Sequence, residues 1–83
     1  MYQVLIGKQA QKQLEKILEP DYSRVKDAIN DLENNPRPKG CKKLKGRSGY
    51  RIRQGNYRII YDINDSVLTV IVLETGHRKD IYQ

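Results

Sequence analysis

The apolar residues recur with helical spacing in the first part of the chain and alternate with polar residues in its second half. A first strand is predicted from Tyr2 to Ile6, closed by Gly7. An amphipathic helix is predicted from about Gln9 to Leu18, and Pro20 ends it. Its apolar stripe consists of Ala10, Leu14, Ile17 and Leu18.

A second apolar stripe predicts a second helix that runs to about Asn34, with Asp21 and Ser23 as candidate N-caps. The stripe consists of Val25, Ala28, Ile29 and Leu32. Two short amphipathic helices joined by a few residues predict a helical hairpin, which needs a sheet against which to bury its apolar side.

The second half of the chain predicts three strands. Two alternating segments, Tyr50–Arg53 and Tyr57–Ile63, flank a hairpin turn at Gln54–Asn56. A second turn at Asn64–Ser66 precedes Val67–Glu74, which is apolar on both faces and is expected near the centre of the sheet. The predicted fold class is therefore α+β, with a helical hairpin on a mostly antiparallel four-stranded sheet in the order β-α-α-β-β-β.

A chain of 83 residues has room for one core, so residues 1–83 are expected to form a single domain. The longest apolar run, from Val67 to Leu73, is far shorter than the roughly 20 residues that a membrane span requires. The N-terminal residues lack the pattern of a secretory signal, which favours a cytoplasmic location. No membrane partner is expected.

The positive charge is segregated along the chain. The net charge is +6, but the segment from Arg37 to Tyr61 carries nine basic residues and no acidic one, while the remainder carries −3. We call residues 37–61 the basic region. The segment from Asn34 to Gly49, which overlaps the start of this region and is called the basic loop, is rich in Pro, Gly and Lys. Such a concentration predicts a polyanionic partner, RNA or DNA, and the alternative is a solvated basic surface without a specific partner.

Strand alternation places Arg51 and Arg53 on the side of their strand opposite Tyr50 and Ile52. A hairpin in simple register brings Arg58 next to them. Like charges facing each other across strands destabilise a sheet, so this cluster suggests an anionic ligand such as phosphate. The alternative is that the three arginines only solvate an exposed sheet face.

The remaining reactive side chains are sparse. One Cys and one His cannot assemble a usual zinc site, and neither a metal nor another cofactor is expected. Cys41 is interpreted as incidental. His77 is a candidate accessory base, because histidine is a common general base in enzymes, but alternation places it on the side of the chain opposite to its neighbour Arg78.

An ordered set of motifs over about forty residues resembles the RelE/ParE toxin superfamily. The motifs are Lys43-Leu44-Lys45-Gly46, Tyr50-Arg51-Ile52-Arg53, Gly55, Tyr57-Arg58-Ile59-Ile60-Tyr61, Gly76-His77-Arg78 and Tyr82. The resemblance covers nearly the whole chain. It implies a fold like that of microbial ribonucleases and a toxin that is held inactive by a cognate RelB-like antitoxin.

The two branches of the superfamily differ in their targets: RelE members cleave messenger RNA in the ribosomal A site, whereas ParE members act on DNA gyrase. The resemblance implies five catalytic positions of the RelE pattern, and ParE-type chains generally lack part of this set. They are filled here by Arg51, Arg53, Arg58, Arg78 and Tyr82. The resemblance therefore favours a metal-independent endoribonuclease, with a ParE-like toxin or a non-catalytic RNA-binding module as alternatives.

In this pattern Arg58 contacts the phosphate, Arg78 serves the leaving group, and Tyr82 stacks on a base or helps to accept the proton. Arg51 and Arg53 stand where lysines are common in the family, and because arginine is a poor base they are expected to act electrostatically. Four residues of the basic loop are predicted to bind the RNA backbone: Lys42, Lys43, Lys45 and Arg47.

Overall fold

The computed structural model describes residues 1–77 and 79, which form two helices packed on one face of a five-stranded sheet. The elements are β1 (Gln3–Ile6), α1 (Lys8–Leu14), α2 (Asp21–Asp31), β2 (Lys42–Lys43), β3 (Tyr50–Gln54), β4 (Tyr57–Asn64) and β5 (Thr69–Glu74). Across the sheet the strand order is β1-β5-β4-β3-β2. In the part of the chain described, neither helix is long and apolar enough to cross a membrane.

The α+β class and the mostly antiparallel sheet are confirmed. Only β1 and β5 pair in parallel, and the other neighbouring strands are antiparallel. The predicted count of four strands was wrong by one, because Lys42 and Lys43 of the basic loop pair with Arg51 and Tyr50. A strand of two residues is too short to show alternation in a sequence.

The first helix ends four residues before its predicted end. After Leu14, the amide of Lys16 donates to Gln13 and that of Ile17 to Leu14, so the last turn is tighter than an α-helical turn. This change of path keeps Ile17 in the core but leaves Leu18 81% exposed. The prediction that Leu18 belongs to the buried stripe was therefore wrong.

The second helix starts without the predicted caps. Asp21 is its first residue and Pro20 takes the N-cap position without a side-chain hydrogen bond. Instead, the Glu19 carboxylate accepts hydrogen bonds from the backbone amide and the hydroxyl of Ser23, at 3.1 and 2.8 Å. The helix ends at Asp31, and tight turns in which each amide bonds three residues back carry the chain on to Asn34.

Strand β5 is an interior strand, as expected, but only one of its faces is buried. Val70 and Val72 belong to the core, whereas Ile71 on the opposite face is 40% exposed. The helices cover one side of the sheet and leave the other open, and we call these the helix face and the open face. Apolar residues on both faces of a strand therefore do not show that both faces are buried by other elements.

The core lies between the helices and the helix face. It comprises Ala10, Leu14, Ile17, Val25, Ile29, Leu32, Ile52, Ile59, Tyr61, Val70 and Val72. Tyr61 on β4 is fully buried, its ring stacks on that of Tyr50 with 6.0 Å between centroids, and its hydroxyl donates to the carbonyl of Pro36 at 2.7 Å. Burial raises the pKa of this hydroxyl. The tyrosine thus fixes the start of the basic loop against the sheet.

The β3–β4 hairpin turns within the predicted segment, but through two residues and not three, because Gln54 belongs to β3. Gln54 pairs with Tyr57, and Gly55 between them has a φ of 61°, which a hairpin turn of this length requires at its first position. Gly49, which precedes β3, has a φ of 116°, and a Cβ there would lie 3.1 Å from the carbonyl oxygen of Tyr61. The two glycines therefore set where the hairpin starts and where it turns.

Replacing Tyr61 with phenylalanine should destabilise the protein by about 1–3 kcal/mol, because the buried carbonyl of Pro36 loses its hydrogen-bond donor. The free energy of unfolding in urea measures this loss. Tyr22→Phe is the matched control, since the Tyr22 side chain packs against the same core and its hydroxyl forms no hydrogen bond within residues 1–77 and 79. Equal losses in both variants would contradict the role assigned to the Tyr61 hydroxyl.

Candidate functional site

Three arginines of the β3–β4 hairpin share the open face, as predicted. Arg53 lies directly opposite Arg58, and Arg51 lies opposite Ile60, one side-chain position further along the same face. Side chains directly opposite each other in such a ladder have Cβ atoms about 4.5–5.5 Å apart. We call Arg51, Arg53 and Arg58 the arginine face.

The three guanidinium groups differ in exposure. Arg53 is exposed and Arg51 is half-buried, whereas Arg58 is only 4% exposed. Ile60, two residues after Arg58 on the same face, is 7% exposed and lies outside the main core cluster. The burial of Arg58 was not foreseen, because strand alternation indicates a side of the sheet and not a depth.

The segment after β5 runs alongside the start of β4. The amide of Arg58 donates to the carbonyl of Gly76 at 3.0 Å, and Tyr57 forms an antiparallel bridge with His77. The chain therefore continues from β5 next to the strand that bears Arg58. The two other predicted catalytic residues, Arg78 and Tyr82, lie outside the described residues.

His77 lies on the helix face. Its ring makes an edge contact with that of Tyr57, 5.4 Å between centroids, and both residues line a cavity with Gln13 and Thr75. Thr75 is itself fully buried, with its hydroxyl donating to the carbonyl of Ala10 at 2.8 Å. The structure therefore does not bring His77 to the arginine face.

The basic loop distributes its cations over both faces. Lys42 pairs with Arg51 and shares its side of the sheet, whereas Lys43 pairs with Tyr50 and places its ammonium 5.2 Å from the centre of that ring. Lys45 is exposed, and Arg47 forms an ion pair with Glu74 at 3.6 Å. Of these four predicted RNA-binding residues, the register places Lys42 closest to the arginine face.

A polar network on another part of the surface neutralises Arg37. Its guanidinium makes two hydrogen bonds to Asp65, at 2.9 and 3.3 Å, and lies 5.2 Å from the centre of the Tyr50 ring. The hydroxyl of Tyr2 donates to the same carboxylate at 2.6 Å. The hydrogen bonds from Arg37 and then from Tyr2 hold the pKa of Asp65 below its usual value.

This network was not predicted, because Asp65 was interpreted as a turn residue and Arg37 as one of nine equivalent cations. Its signal in the sequence is weak, since 28 positions separate the two residues. Arg37 and Arg47 are both paired with acids from outside the basic region. Two of the nine cations of that region are therefore neutralised, and the register of Glu74 with Ile60 places the Arg47–Glu74 pair on the open face beside the arginine face.

An open cavity of about 430 Å³ adjoins the arginine face at the edge of β3. Arg51 and Arg53 line it together with Lys42 and Lys39 of the basic loop, and with Asp31 at the end of α2. Sequence reasoning missed the contribution of α2 to this surface. A carboxylate in the last turn of a helix, where the helix dipole disfavours negative charge, is the signal that could have indicated it.

The arrangement suits an extended anion with repeated charges. Guanidinium groups hold their charge at neutral pH and bind phosphate oxygens in bidentate fashion. Within a partly buried site such contacts are stronger than in water. The arginine face and its neighbouring cavity together offer several adjacent positions for phosphate groups.

Comparison with known proteins shows that the chain is similar to toxins. The sequence model of the family described as ParE toxin of type II toxin-antitoxin system, parDE, matches residues 4–82. Toxin RelE3 of Methanocaldococcus jannaschii is 37% identical over 84 residues, which cover 95% of this chain and 93% of that protein. Toxin RelG of Mycobacterium tuberculosis is 37% identical over 60 residues, covering 71% of this chain and 69% of that protein.

Solved structures agree with these sequence relatives. In the crystal structure of the archaeal RelE–RelB complex from Pyrococcus horikoshii, the matched chain is 32% identical and superposes with a TM-score of 0.82. The match covers 93% of this chain and 94% of that one. The arrangement of helices and strands described above is therefore that of a RelE structure.

Replacing Asp65 with asparagine should destabilise the protein at neutral pH and have a smaller effect in acid. Because the folded-state pKa of Asp65 lies below the ordinary value of 3.8, its stabilising effect is present above that pH and is lost as the pH falls through the lowered pKa. Urea unfolding at neutral and acidic pH measures the difference between wild type and variant. Asp27→Asn, in an exposed position of α2, should show no such convergence.

Proposed function

This chain belongs to the RelE/ParE superfamily of toxins of type II toxin–antitoxin systems and is of the RelE type, and on that premise we propose that it is a metal-independent endoribonuclease that cleaves messenger RNA on the ribosome. The observation that carries the proposal is the pairing of Arg53 with the buried Arg58 on the face that also holds Arg51. Cations clustered on one sheet face can stabilise the negative charge that builds up on a phosphodiester in its transition state.

In the proposed reaction, the 2′-oxygen of a ribose attacks the adjacent phosphorus while its proton passes to an acceptor. The bond from phosphorus to the 5′-oxygen breaks, and that oxygen takes up a proton. The products are a 2′,3′-cyclic phosphate, which can open to a 3′-phosphate, and a 5′-hydroxyl. The reaction needs positive charge at the phosphoryl oxygens, a base and an acid.

Arg58 is best suited to stabilise the phosphoryl oxygens. Its 4% exposure gives it a low-dielectric environment, in which a charge contact is stronger than at the surface. Arg53 and Arg51 are more exposed and serve to orient the RNA strand. None of the three is a suitable base, because the guanidinium keeps its proton at neutral pH.

The proton transfers fall to residues outside the arginine face. The family pattern assigns the leaving group to Arg78 and base stacking or proton acceptance to Tyr82. The ribosome would hold the messenger RNA against these groups, and such positioning alone can lower a barrier by several kcal/mol. This accounts for a site that is rich in cations and poor in bases.

The second part of the proposal is a protein partner. The similar archaeal RelE structure is a complex with RelB. We infer that a RelB-like antitoxin inhibits this toxin through an acidic segment that covers the arginine face. A cationic face of this density favours an anionic partner and accelerates its association.

A ParE-type action is the second candidate function, because the matched family model has the ParE description. Such a toxin would poison DNA gyrase without cutting RNA. The shared fold accommodates both actions, so the choice depends on the site. The arginine face favours the nuclease, since phosphodiester cleavage directly requires clustered positive charge.

Expression of the protein should stop translation before DNA breaks appear, and cleaved transcripts should carry 2′,3′-cyclic or 3′-phosphate ends and 5′-hydroxyls. Arg58→Lys should lower the cleavage rate on translating ribosomes by about 100-fold, as expected when one transition-state contact is lost. Arg53→Ala should lower it by about as much, because misplacement of the reacting strand has a cost of similar size. Arg24→Ala, an exposed arginine of α2, is the charge-matched control and should cleave normally.

The exposed position of Arg53 keeps this test valid if Arg58→Lys is unstable. Ends with a 5′-phosphate and a 3′-hydroxyl would overturn the proposed chemistry. DNA breaks with intact transcripts would instead support the ParE-type action.

Mixing the toxin with the antitoxin encoded beside it should abolish cleavage, and their affinity should fall as salt concentration rises, because charge attraction is screened. Arg51→Ala should weaken the complex, and the affinity of the variant should not depend more steeply on salt concentration than that of the wild type. Calorimetry in a salt series measures both effects. An antitoxin that binds with unchanged affinity for Arg51→Ala would show that it covers a different surface.

A further inference from the structure

The cavity beside the arginine face lies where the pairing of β2 with β3 ends. The ladder joins Lys42 to Arg51 and goes no further along β3. Beyond this point, Ile52 and Arg53 border the cavity, which has a volume of about 430 Å³ and is also lined by Ala28 and Asp31 of α2. A volume of this size is typical of pockets that hold small molecules.

Four cations surround the cavity: Lys39, Lys42, Arg51 and Arg53. Within residues 1–77 and 79 none of the four forms an ion pair, in contrast to Arg37 and Arg47. Mutual repulsion among such groups is relieved by a bound anion. The cavity is therefore suited to one or more phosphate groups.

The cavity also has apolar walls. Ala28 of α2, Pro38 of the basic loop and the buried Ile52 of β3 contribute them. Apolar walls next to cations match the two parts of a nucleotide, a planar base and a phosphate. Proteins that bind single-stranded RNA commonly combine such surfaces.

Asp31 is the acidic residue that lines this cationic cavity. It is the last residue of α2, where the helix dipole disfavours an acid and where the final turn holds no basic residue. Among the described residues its carboxylate has no ion-pair partner. Helix stability does not account for an acid at this position, and the carboxylate is free to accept hydrogen bonds from a ligand.

We propose that this cavity binds the nucleotide next to the cleaved one, and that Asp31 selects bases with an exocyclic amino group against uracil. A carboxylate only accepts hydrogen bonds, and the amino groups of cytosine, adenine and guanine donate them. Uracil presents carbonyl oxygens on both sides of its single N–H, and these repel a carboxylate. Such repulsion of the wrong ligand is an effective source of specificity.

The position of the cavity fits a neighbouring nucleotide. Arg53 lines the cavity and is also the cross-strand partner of Arg58. Adjacent strands lie about 4.8 Å apart, so a strand of RNA held at Arg58 passes Arg53 and enters the cavity. The inference rests on the proposed function in taking RNA as the ligand and Arg58 as the position of the cleaved phosphate, whereas base selection by Asp31 does not require cleavage.

Binding of two short RNAs to the whole protein tests the inference without a cleavage assay. Tetracytidylate and tetrauridylate are both pyrimidine strands of equal charge, and their bases differ at the amino or carbonyl group of position 4. Tetracytidylate should bind about five-fold more tightly, as expected for one favourable base contact. Backbone amide signals of Ala28, Gly40 and Ile52 should shift in NMR titrations, since these residues line the cavity.

Asp31→Asn should remove the preference, because an asparagine amide both donates and accepts and can therefore bond either base. Asp27→Asn, one turn earlier on α2 and outside the cavity lining, should keep the five-fold ratio. Lys42→Ala should weaken the binding of both RNAs equally, because the substitution removes a phosphate contact and not a base contact. Asp31 is exposed, so its replacement should leave the fold intact.

Equal affinity of the wild type for both RNAs, an unchanged ratio in Asp31→Asn, or shifts confined to other residues would overturn the inference. A wild type that shows the preference but cleaves no RNA would refute the proposed nuclease and leave this site standing. A protein that cleaves RNA but binds both RNAs equally would support the proposed nuclease and refute base selection by Asp31.

Discussion

Across the β3–β4 hairpin, Tyr50 faces Tyr61 and Ile52 faces Ile59, and these pairs pack beneath the two helices. Because side chains alternate along a strand, this register forces the intervening arginines to the open face. A slip of one residue would turn the arginines into the core and expose the apolar pairs. The burial of a few side chains on one face therefore determines the chemistry of the other.

The same register imposes an electrostatic cost that the fold tolerates. It holds Arg53 opposite Arg58 in the interior of the sheet, and Arg58 is almost fully buried. Like charges across a ladder destabilise it by a few tenths of a kcal/mol to about 1 kcal/mol. The sheet keeps this arrangement because β4 contributes Ile59 and Tyr61 to the core on its other side.

Two acidic residues from outside the basic region pair with two of its arginines. Asp65 and Glu74 pair with Arg37 and Arg47 and fix the basic loop to the sheet. Asp31 stays unpaired among the described residues and borders the cavity next to the arginine face. Acidic side chains thus serve two purposes here, since some anchor the loop and one is available to a ligand.

The sequence by itself determined the α+β class, the hairpin turn at Gly55 and the side of the sheet on which the arginines lie. Each of these depends on spacing between near neighbours, which periodicity shows directly. Sequence patterns misjudged the burial of Leu18 and the N-cap of α2. The tight turn after Leu14 and the hydrogen bonds from Ser23 to Glu19 change these helix ends, but neither changes the spacing of apolar residues in the sequence.

Only the tertiary structure decided how deeply Arg58 is buried, that Asp65 neutralises Arg37, and that Asp31 shares a cavity with Arg53. Arg37 and Asp65 are 28 positions apart, and Asp31 borders the cavity only because α2 packs near the edge of β3. Local patterns specify the direction of a side chain relative to its own element. Depth and partners depend on which other elements pack against it, and long-range packing is what a single sequence does not display.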